Sequence, residues 1–119
     1  MRFLLLLVGE ADTEAPAPGS AEFTQMLADY RSSTAAMAGA GVLADSGPLQ
    51  PPEVASTVRV RGGKPLVTDG PFAELKETIG GYYVLDCADQ QEAARWAATI
   101  PAARYGAVEV RPVMTTPGG

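Results

Sequence analysis

The chain has 119 residues, of which 46% are apolar and 19% charged; this is typical of one folded domain and excludes a largely disordered chain. Its net charge of −5 argues against nucleic acids and acidic membrane surfaces as partners, because such binding depends on neutralising phosphates. The single cysteine, Cys87, excludes an intrachain disulfide and predicts a buried, inert thiol in a cytoplasmic protein.

The N-terminal run predicts a central strand. Residues 3–8 are apolar at every position, which is typical of a strand that is covered on both faces. The run is too short to cross a bilayer, and it meets Gly9-Glu10 instead of a small-residue cleavage site. We therefore expect a buried strand and no signal peptide.

The next segment predicts a long helix. Ser20 is placed to cap it after a Pro/Gly-rich loop, and Gly39 and Gly41 are placed to end it. The apolar positions follow helical spacing. They are Phe23, Met26, Leu27, Tyr30, Thr34 and Met37.

The middle of the chain predicts a short strand followed by a hairpin. Residues 42–49 form the strand, which Gly47-Pro48 is expected to break. Residues 57–61 and 64–68 form the hairpin around a Gly62-Gly63 turn, with Pro65 on an edge. Its arginines, Arg59 and Arg61, share one face, as in a DNA-reading ribbon or a solvated hairpin; the acidic net charge favours the second.

The last third predicts strand, helix and strand. Residues 78–87 form the first strand, in which Gly80-Gly81 marks either a β-bulge or a close approach by another backbone or a ligand. Asp89, with Glu92 three residues later, begins a helix that Pro101 ends, and residues 107–113 form the final strand. The helix buries one face, made of Ala93, Trp96, Ala97 and Ile100.

This order of elements predicts an α+β fold, namely a ferredoxin-like βαββαβ subunit with an inserted β-hairpin. Residues 1–114 form the single domain, and residues 115–119 form a frayed tail. Both helices cover one sheet face, which leaves a second apolar face bare. A second copy is the simplest cover, so we expect a homodimer in which sheet packs against sheet.

Three segments in a fixed order carry a family resemblance. They are GVLADSGPLQPP, VTDGPFAELKETIGGYYVLD and AARYGAVEVRPV. Together they resemble the DGPF family of YCII-related proteins, over nearly the whole chain. The resemblance implies a dimeric α+β barrel built from ferredoxin-like subunits, in small bacterial proteins of largely undefined activity. Some members carry a transcription-initiation label, and some are encoded beside sigma-factor genes.

The resemblance also implies a histidine-aspartate pair in the cleft, and here the chain departs from the family. It contains no histidine, and Tyr105 stands where we expect many relatives to have one. A phenol that titrates near 10 is a poor general base at neutral pH unless its pKa falls strongly. The acid-base chemistry of the wider family therefore does not transfer as it stands.

Asp69 is the candidate catalytic residue, and it has two interpretations. A carboxylate at the lip of a cleft beside an aromatic ring is suited to act as an acid or base. Alternatively, Asp69 is an N-cap that accepts the Phe72 N–H, with Pro71 in the first turn; this explains why Asp, Gly and Pro occur together.

The ligand-binding candidates lie in the second half of the chain. Glu109 and Arg111 share a strand face that points into the dimer cleft if Val108 and Val110, on the opposite face, pack under the helices. There the arginine would bind a carboxylate or phosphate, or the two would form a self-contained ion pair. Lys76 either reaches an anion or lies on a solvated turn. The full set is Phe72, Lys76, Tyr82, Tyr105, Glu109 and Arg111.

These residues predict a protein that binds a small anionic molecule in a cleft of a dimeric barrel. In the catalytic form of this prediction, Asp69 is the proton carrier of cofactor-independent acid-base catalysis. The alternative is a non-catalytic regulatory or ligand-binding module that acts through a protein partner such as a sigma factor. We expect no metal and no cofactor, because no phosphate loop, dinucleotide fingerprint or Cys/His cluster occurs in the sequence.

Overall fold

The apolar runs become strands and the capped segments become helices in a computed structural model, which describes residues 1–10, 15–71 and 77–115. A short 3₁₀ turn covers Pro52–Val54. The strands and helices are β1 (Arg2–Glu10), α1 (Ala21–Gly39), β2 (Leu43–Pro48), β3 (Ser56–Arg61), β4 (Lys64–Asp69), β5 (Glu77–Asp86), α2 (Gln90–Ala97), α3 (Ala102–Tyr105) and β6 (Gly106–Pro112).

Four strands form one antiparallel sheet in the order β2-β5-β1-β6, and β3 and β4 form a separate two-stranded sheet. The fully apolar β1 lies inside the larger sheet, between β5 and β6. The two-stranded sheet is inserted between β2 and β5, and its turn is Gly62-Gly63, both with positive φ. This is the predicted ferredoxin-like layout with its inserted hairpin.

The core lies between the four-stranded sheet and the helices. Every second residue of β1 faces it, because successive side chains of a strand point to opposite faces. Tyr83 enters the core from β5, and its hydroxyl lies 2.8 Å from the Thr34 hydroxyl on α1. The fully buried side chains include Phe3, Leu5, Met37, Leu85 and Ile100.

Both predicted helix N-caps are confirmed. The Ser20 hydroxyl accepts the Phe23 N–H at 3.1 Å, and the Asp89 carboxylate accepts the Glu92 N–H at 2.8 Å. The Glu92 carboxylate in turn accepts the Ala88 N–H at 2.9 Å. Each interaction satisfies a backbone N–H that has no partner inside the helix.

Gly80 and Gly81 of β5 mark both a β-bulge and a close approach by another backbone, the two structures that the sequence left open. Leu7 pairs with Gly81 and Val8 pairs with Ile79, so Gly80 is the extra residue of a β-bulge. A methyl group on Gly81 would lie 3.0 Å from the Gly47 carbonyl oxygen, so the backbone of β2 approaches closely here.

Cys87 is buried, as predicted, with 5% of its surface exposed. Burial raises the pKa of its thiol, and the nearby carboxylate of Glu92 raises it further. A thiol that stays protonated is a weak nucleophile.

Two details of the sequence prediction were wrong. Gly47-Pro48 does not break β2, since both residues pair with β5; Pro48 is tolerated because β2 is an edge strand. The four-residue α3 was not predicted at all.

The second face of the four-stranded sheet lies away from the core. Tyr82 is on this face, opposite to Tyr83, as the alternation of a strand requires. Ile79 is 47% exposed there. We call this surface the bare face; its apolar members are Leu4, Leu6, Val8, Ile79, Tyr82 and Val84.

Candidate functional site

A pocket of about 240 Å³ lies where α1 and α3 meet one end of the four-stranded sheet. Backbone at Gly9, Gly80 and Gly106 forms part of its wall, so the β5 bulge and the start of β6 both shape it. Leu7, Val8, Ala15, Met26 and Ala102 give it a largely apolar lining, and Tyr30, Thr78 and Tyr105 add hydroxyl groups.

Tyr30 and Tyr105 supply the two phenols of this pocket. Burial raises the pKa of Tyr30 above its usual value of 10.0, and the phenol of Tyr83 adds to the rise. The Ala102 backbone N–H and the Arg104 cation act in the opposite direction without cancelling it. Tyr30 therefore stays protonated at neutral pH and is able to donate a hydrogen bond into the pocket.

A surface ion pair ties α3 to α1 beside the pocket. The Arg104 guanidinium contacts the Asp29 carboxylate at 3.0 Å, and its central carbon lies 5.7 Å from the centre of the Tyr105 ring. The first contact joins α3 to α1, and the second holds two neighbouring residues of α3 together. They favour one placement of Tyr105, although an exposed pair of this kind contributes little to overall stability.

None of the described residues that line the pocket is charged. A lining of this kind suits a ligand that is held by shape and by hydrogen bonds to phenols rather than by charge. Within the described ranges, no three Cys, Asp or Glu side chains come together as a metal site would need.

Among the predicted ligand-binding residues that the structure describes, Tyr105 is the one that lines this pocket. Tyr82 lies on the bare face, and its hydroxyl donates to the Asp45 carboxylate at 3.3 Å. That carboxylate raises the pKa of the Tyr82 phenol. Glu109 and Arg111 lie on the bare face too, beside Leu6 and Leu4, and form an ion pair at 2.7 Å.

Asp69 lies apart from all of these residues. It is the last residue of β4, pairs with Ser56 and is exposed, and it does not line the pocket. Phe72 and Lys76 lie outside the described residues. The N-cap interpretation of Asp69 needs the Phe72 N–H, and so both interpretations of Asp69 stay predictions.

Sequence reasoning did not identify Tyr30 as a pocket residue. Helical spacing assigned Tyr30 to the apolar face of α1, and Tyr30 does lie on that face. Spacing cannot tell a core tyrosine from one that lines a cavity, because both occupy the same helix face. The signal that was available is its hydroxyl, since a tyrosine on a buried face needs a polar partner.

The fold and the pocket define an α+β subunit of the ferredoxin-like type. Among solved structures, 5-chloro-2-hydroxyhydroquinone dehydrochlorinase from Burkholderia phenoliruptrix AC1100, in complex with 2,5-dihydroxybenzoquinone, superposes with a TM-score of 0.53. The superposition covers 98% of this chain and 96% of that one, at 13% sequence identity, so it shows a shared fold. The predicted fold class is thereby confirmed.

The chain belongs to the family of the YCII-related domain, whose profile matches residues 1–116. An uncharacterized protein of Rhizobium meliloti (strain 1021) is 42% identical over 76 residues, which make up 62% of this chain. The match spans 61% of that relative's length. No described helix combines the length and the apolar character that crossing a bilayer requires.

Proposed function

We propose that this protein binds a small ring compound with oxygen substituents in the pocket between α1, α3 and the β5 bulge. The observation that carries this proposal is a cavity of about 240 Å³ with an apolar lining and two phenols. A dry cavity of about 150 Å³ suffices for benzene, so this pocket has room for a ring and its substituents.

The chemistry of the lining supports an oxygen-bearing ligand. The ring would lie against apolar groups such as Leu7 and Met26, and the protonated Tyr30 would donate to a ring oxygen. The dehydrochlorinase with the same fold binds a dihydroxybenzoquinone, which belongs to this class of compound. The anionic ligand predicted from the sequence gains no support from the described lining, which holds no charged side chain.

We propose a binding module rather than an acid-base enzyme. The chain has no histidine, and Asp69 lies on β4, away from the pocket lining. A proton carrier that works near neutral pH would have to be a strongly tuned carboxylate or phenol. Of the two predicted roles, ligand binding without turnover therefore fits the site better, in a protein that we still expect in the cytoplasm.

We further propose that the working unit is a homodimer formed through the bare face. The apolar side chains of this face lie on the inner strands β1 and β5. The ion pair Glu109–Arg111, whose charges are already matched within one chain, lies beside them on the edge strand β6. Such a surface resembles an interface with an apolar centre and paired charges at its rim. The pocket lies mainly on the helix side of the sheet, and Val8 is the described residue that its lining shares with the bare face.

Binding is tested by titrating ¹⁵N-labelled protein with 2,5-dihydroxybenzoquinone and with hydroquinone while amide shifts are recorded. Gly9, Gly80 and Gly106 line the pocket, and we expect their amide signals to move in a saturable way. The signals of Gly62 and Gly63, at the hairpin turn, should not move. Tyr30→Phe should weaken binding about fivefold, since a neutral hydrogen bond contributes about 1 kcal/mol.

Tyr82→Phe is the matched control, because it removes the same hydroxyl from the bare face. It should leave the affinity unchanged. Equal weakening by both substitutions, or shifts confined to residues outside the pocket, would contradict the proposed site. Consumption of either compound during the titration would contradict the choice of a binding module over an enzyme.

A further inference from the structure

The short helix α3 forms part of the pocket wall, and it is a weak helix by itself. It has four residues, and no side chain caps its start at Pro101. A single helical turn is unstable in water, because ordering the first turn costs more than its few hydrogen bonds return. Contacts with neighbouring elements therefore decide where α3 lies, and with it where its pocket residues Ala102 and Tyr105 lie.

Three side-chain contacts in series lead from α1 to Tyr105. The Gln25 amide donates to one carboxylate oxygen of Asp29 at 2.8 Å, four residues further along the same helix. The Arg104 guanidinium donates to the other oxygen at 3.0 Å. Its central carbon lies 5.7 Å from the centre of the Tyr105 ring. Because both Asp29 oxygens are engaged, the carboxylate has little freedom to turn away from Arg104.

Arg104 acts on the pocket without lining it. The pocket lining does not include Arg104, which lies with Asp29 in a separate polar groove. Its cation is nevertheless close enough to the Tyr30 phenol to lower the pKa of that group. Arg104 is thus near both phenols of the pocket, in a place from which it orients pocket groups rather than contacts a ligand.

The two phenols differ in how firmly each is held. Tyr30 lies on the 19-residue α1, and the Ala102 backbone N–H donates to its oxygen. Tyr105 is the last residue of α3, three residues beyond that bond, where the Arg104–Asp29 pair supplies a second tie to α1. A ligand with one oxygen needs only Tyr30, whereas a ligand with two oxygens also needs Tyr105 in place.

We propose that Arg104 is a positioning residue that makes the pocket selective for ring compounds with two oxygen substituents. Held by Asp29, it keeps Tyr105 where its hydroxyl meets the second oxygen, while Tyr30 binds the first. This inference rests on the proposed function and deepens it, from oxygen-bearing rings in general to rings that carry an oxygen at each of two positions.

The test compares two probes, hydroquinone and phenol, which differ by one hydroxyl group. In the ¹⁵N titration, Arg104→Gln should weaken hydroquinone binding about threefold, which is the size that an exposed ion pair allows. It should leave phenol binding unchanged, because phenol does not need Tyr105. Arg104→Lys should recover most of the lost hydroquinone affinity, since its single contact with Asp29 requires a cation.

Arg2→Gln is the matched control. Arg2 forms an ion pair with Asp86 at the same distance of 3.0 Å and with similar exposure, at the end of β1 that is far from the pocket. Its loss should change the affinity for neither probe. A double-mutant cycle tests the route of action: Tyr105→Phe should weaken hydroquinone binding, and adding Arg104→Gln should weaken it no further.

The outcomes separate this inference from the proposed function. Equal weakening of both probes by Arg104→Gln would show a merely structural role and overturn the inference. No change, no recovery in Arg104→Lys, full additivity with Tyr105→Phe, or the same effect from Arg2→Gln would overturn it too. Each of these results leaves the pocket as a binding site. A wild type whose pocket glycines respond to neither probe would overturn the proposed function, and the role of Arg104 with it.

Discussion

Gly80 and Gly81 are adjacent in sequence but meet different surroundings. A methyl group on Gly80 would have no neighbour within 4 Å, whereas one on Gly81 would lie 3.0 Å from the Gly47 oxygen and 3.4 Å from a Leu7 methyl carbon. The space at Gly81 is taken by backbone, which cannot turn aside as a flexible side chain can. Only the second glycine is therefore required by packing in the described chain.

The two substitutions to alanine should differ accordingly. Gly81→Ala should lower the free energy of unfolding by about 1 to 2 kcal/mol, because β2 must shift to admit the methyl group. Gly80→Ala should stay within about 0.5 kcal/mol of the wild type or stabilise slightly, since alanine restricts the unfolded chain. Urea denaturation of both variants checks this, and equal loss in both would show that the bulge, not the close approach, requires the glycines.

The helices and strands differ in how far each could be predicted from the residues close to it in sequence. The caps at Ser20 and Asp89 were predictable, because a cap needs only residues within one turn of the helix start. The continuation of β2 through Gly47-Pro48 was not predictable. Proline is tolerated only on an edge strand, and the sequence of a strand does not reveal its position in the sheet. The four residues of α3 are too few to show a helical period.

The start of α2 gives a prediction at this scale. Asp89→Ala removes the acceptor of the Glu92 N–H at the start of α2. It should cost about 1 kcal/mol of folding free energy, because that N–H loses its capping partner. Asp89→Ser keeps an acceptor at the same place and should restore most of that stability. Thermal unfolding of the two variants checks this; an equal fall in both would mean that the carboxylate acts by its charge and not as a cap.

At the scale of the whole molecule, the uneven cover of the sheet was predictable and the pocket was not. Residues 3–8 are apolar on both strand phases, and one phase, with Leu4 and Leu6, does lie on the bare face. The pocket is assembled from α1, β1, β5 and α3, which are far apart in sequence. Tyr105 was named through a family resemblance, whereas the helical spacing around Tyr30 did not set it apart from a core residue.

The bare face gives the last prediction, since its burial is what the proposed homodimer requires. Leu6 lies on β1, one of the two inner strands of this face, beside Tyr82 and Glu109. Leu6→Lys would place a cation next to the Glu109 carboxylate. The single chain tolerates this cation because it stays in water, but a dimer formed through the bare face would bury it. We expect a monomer by light scattering at micromolar concentration, with a folded amide spectrum. Leu27→Lys makes the same change at an exposed site on α1 and should leave a dimer; a dimer that survives in both variants would place the interface elsewhere.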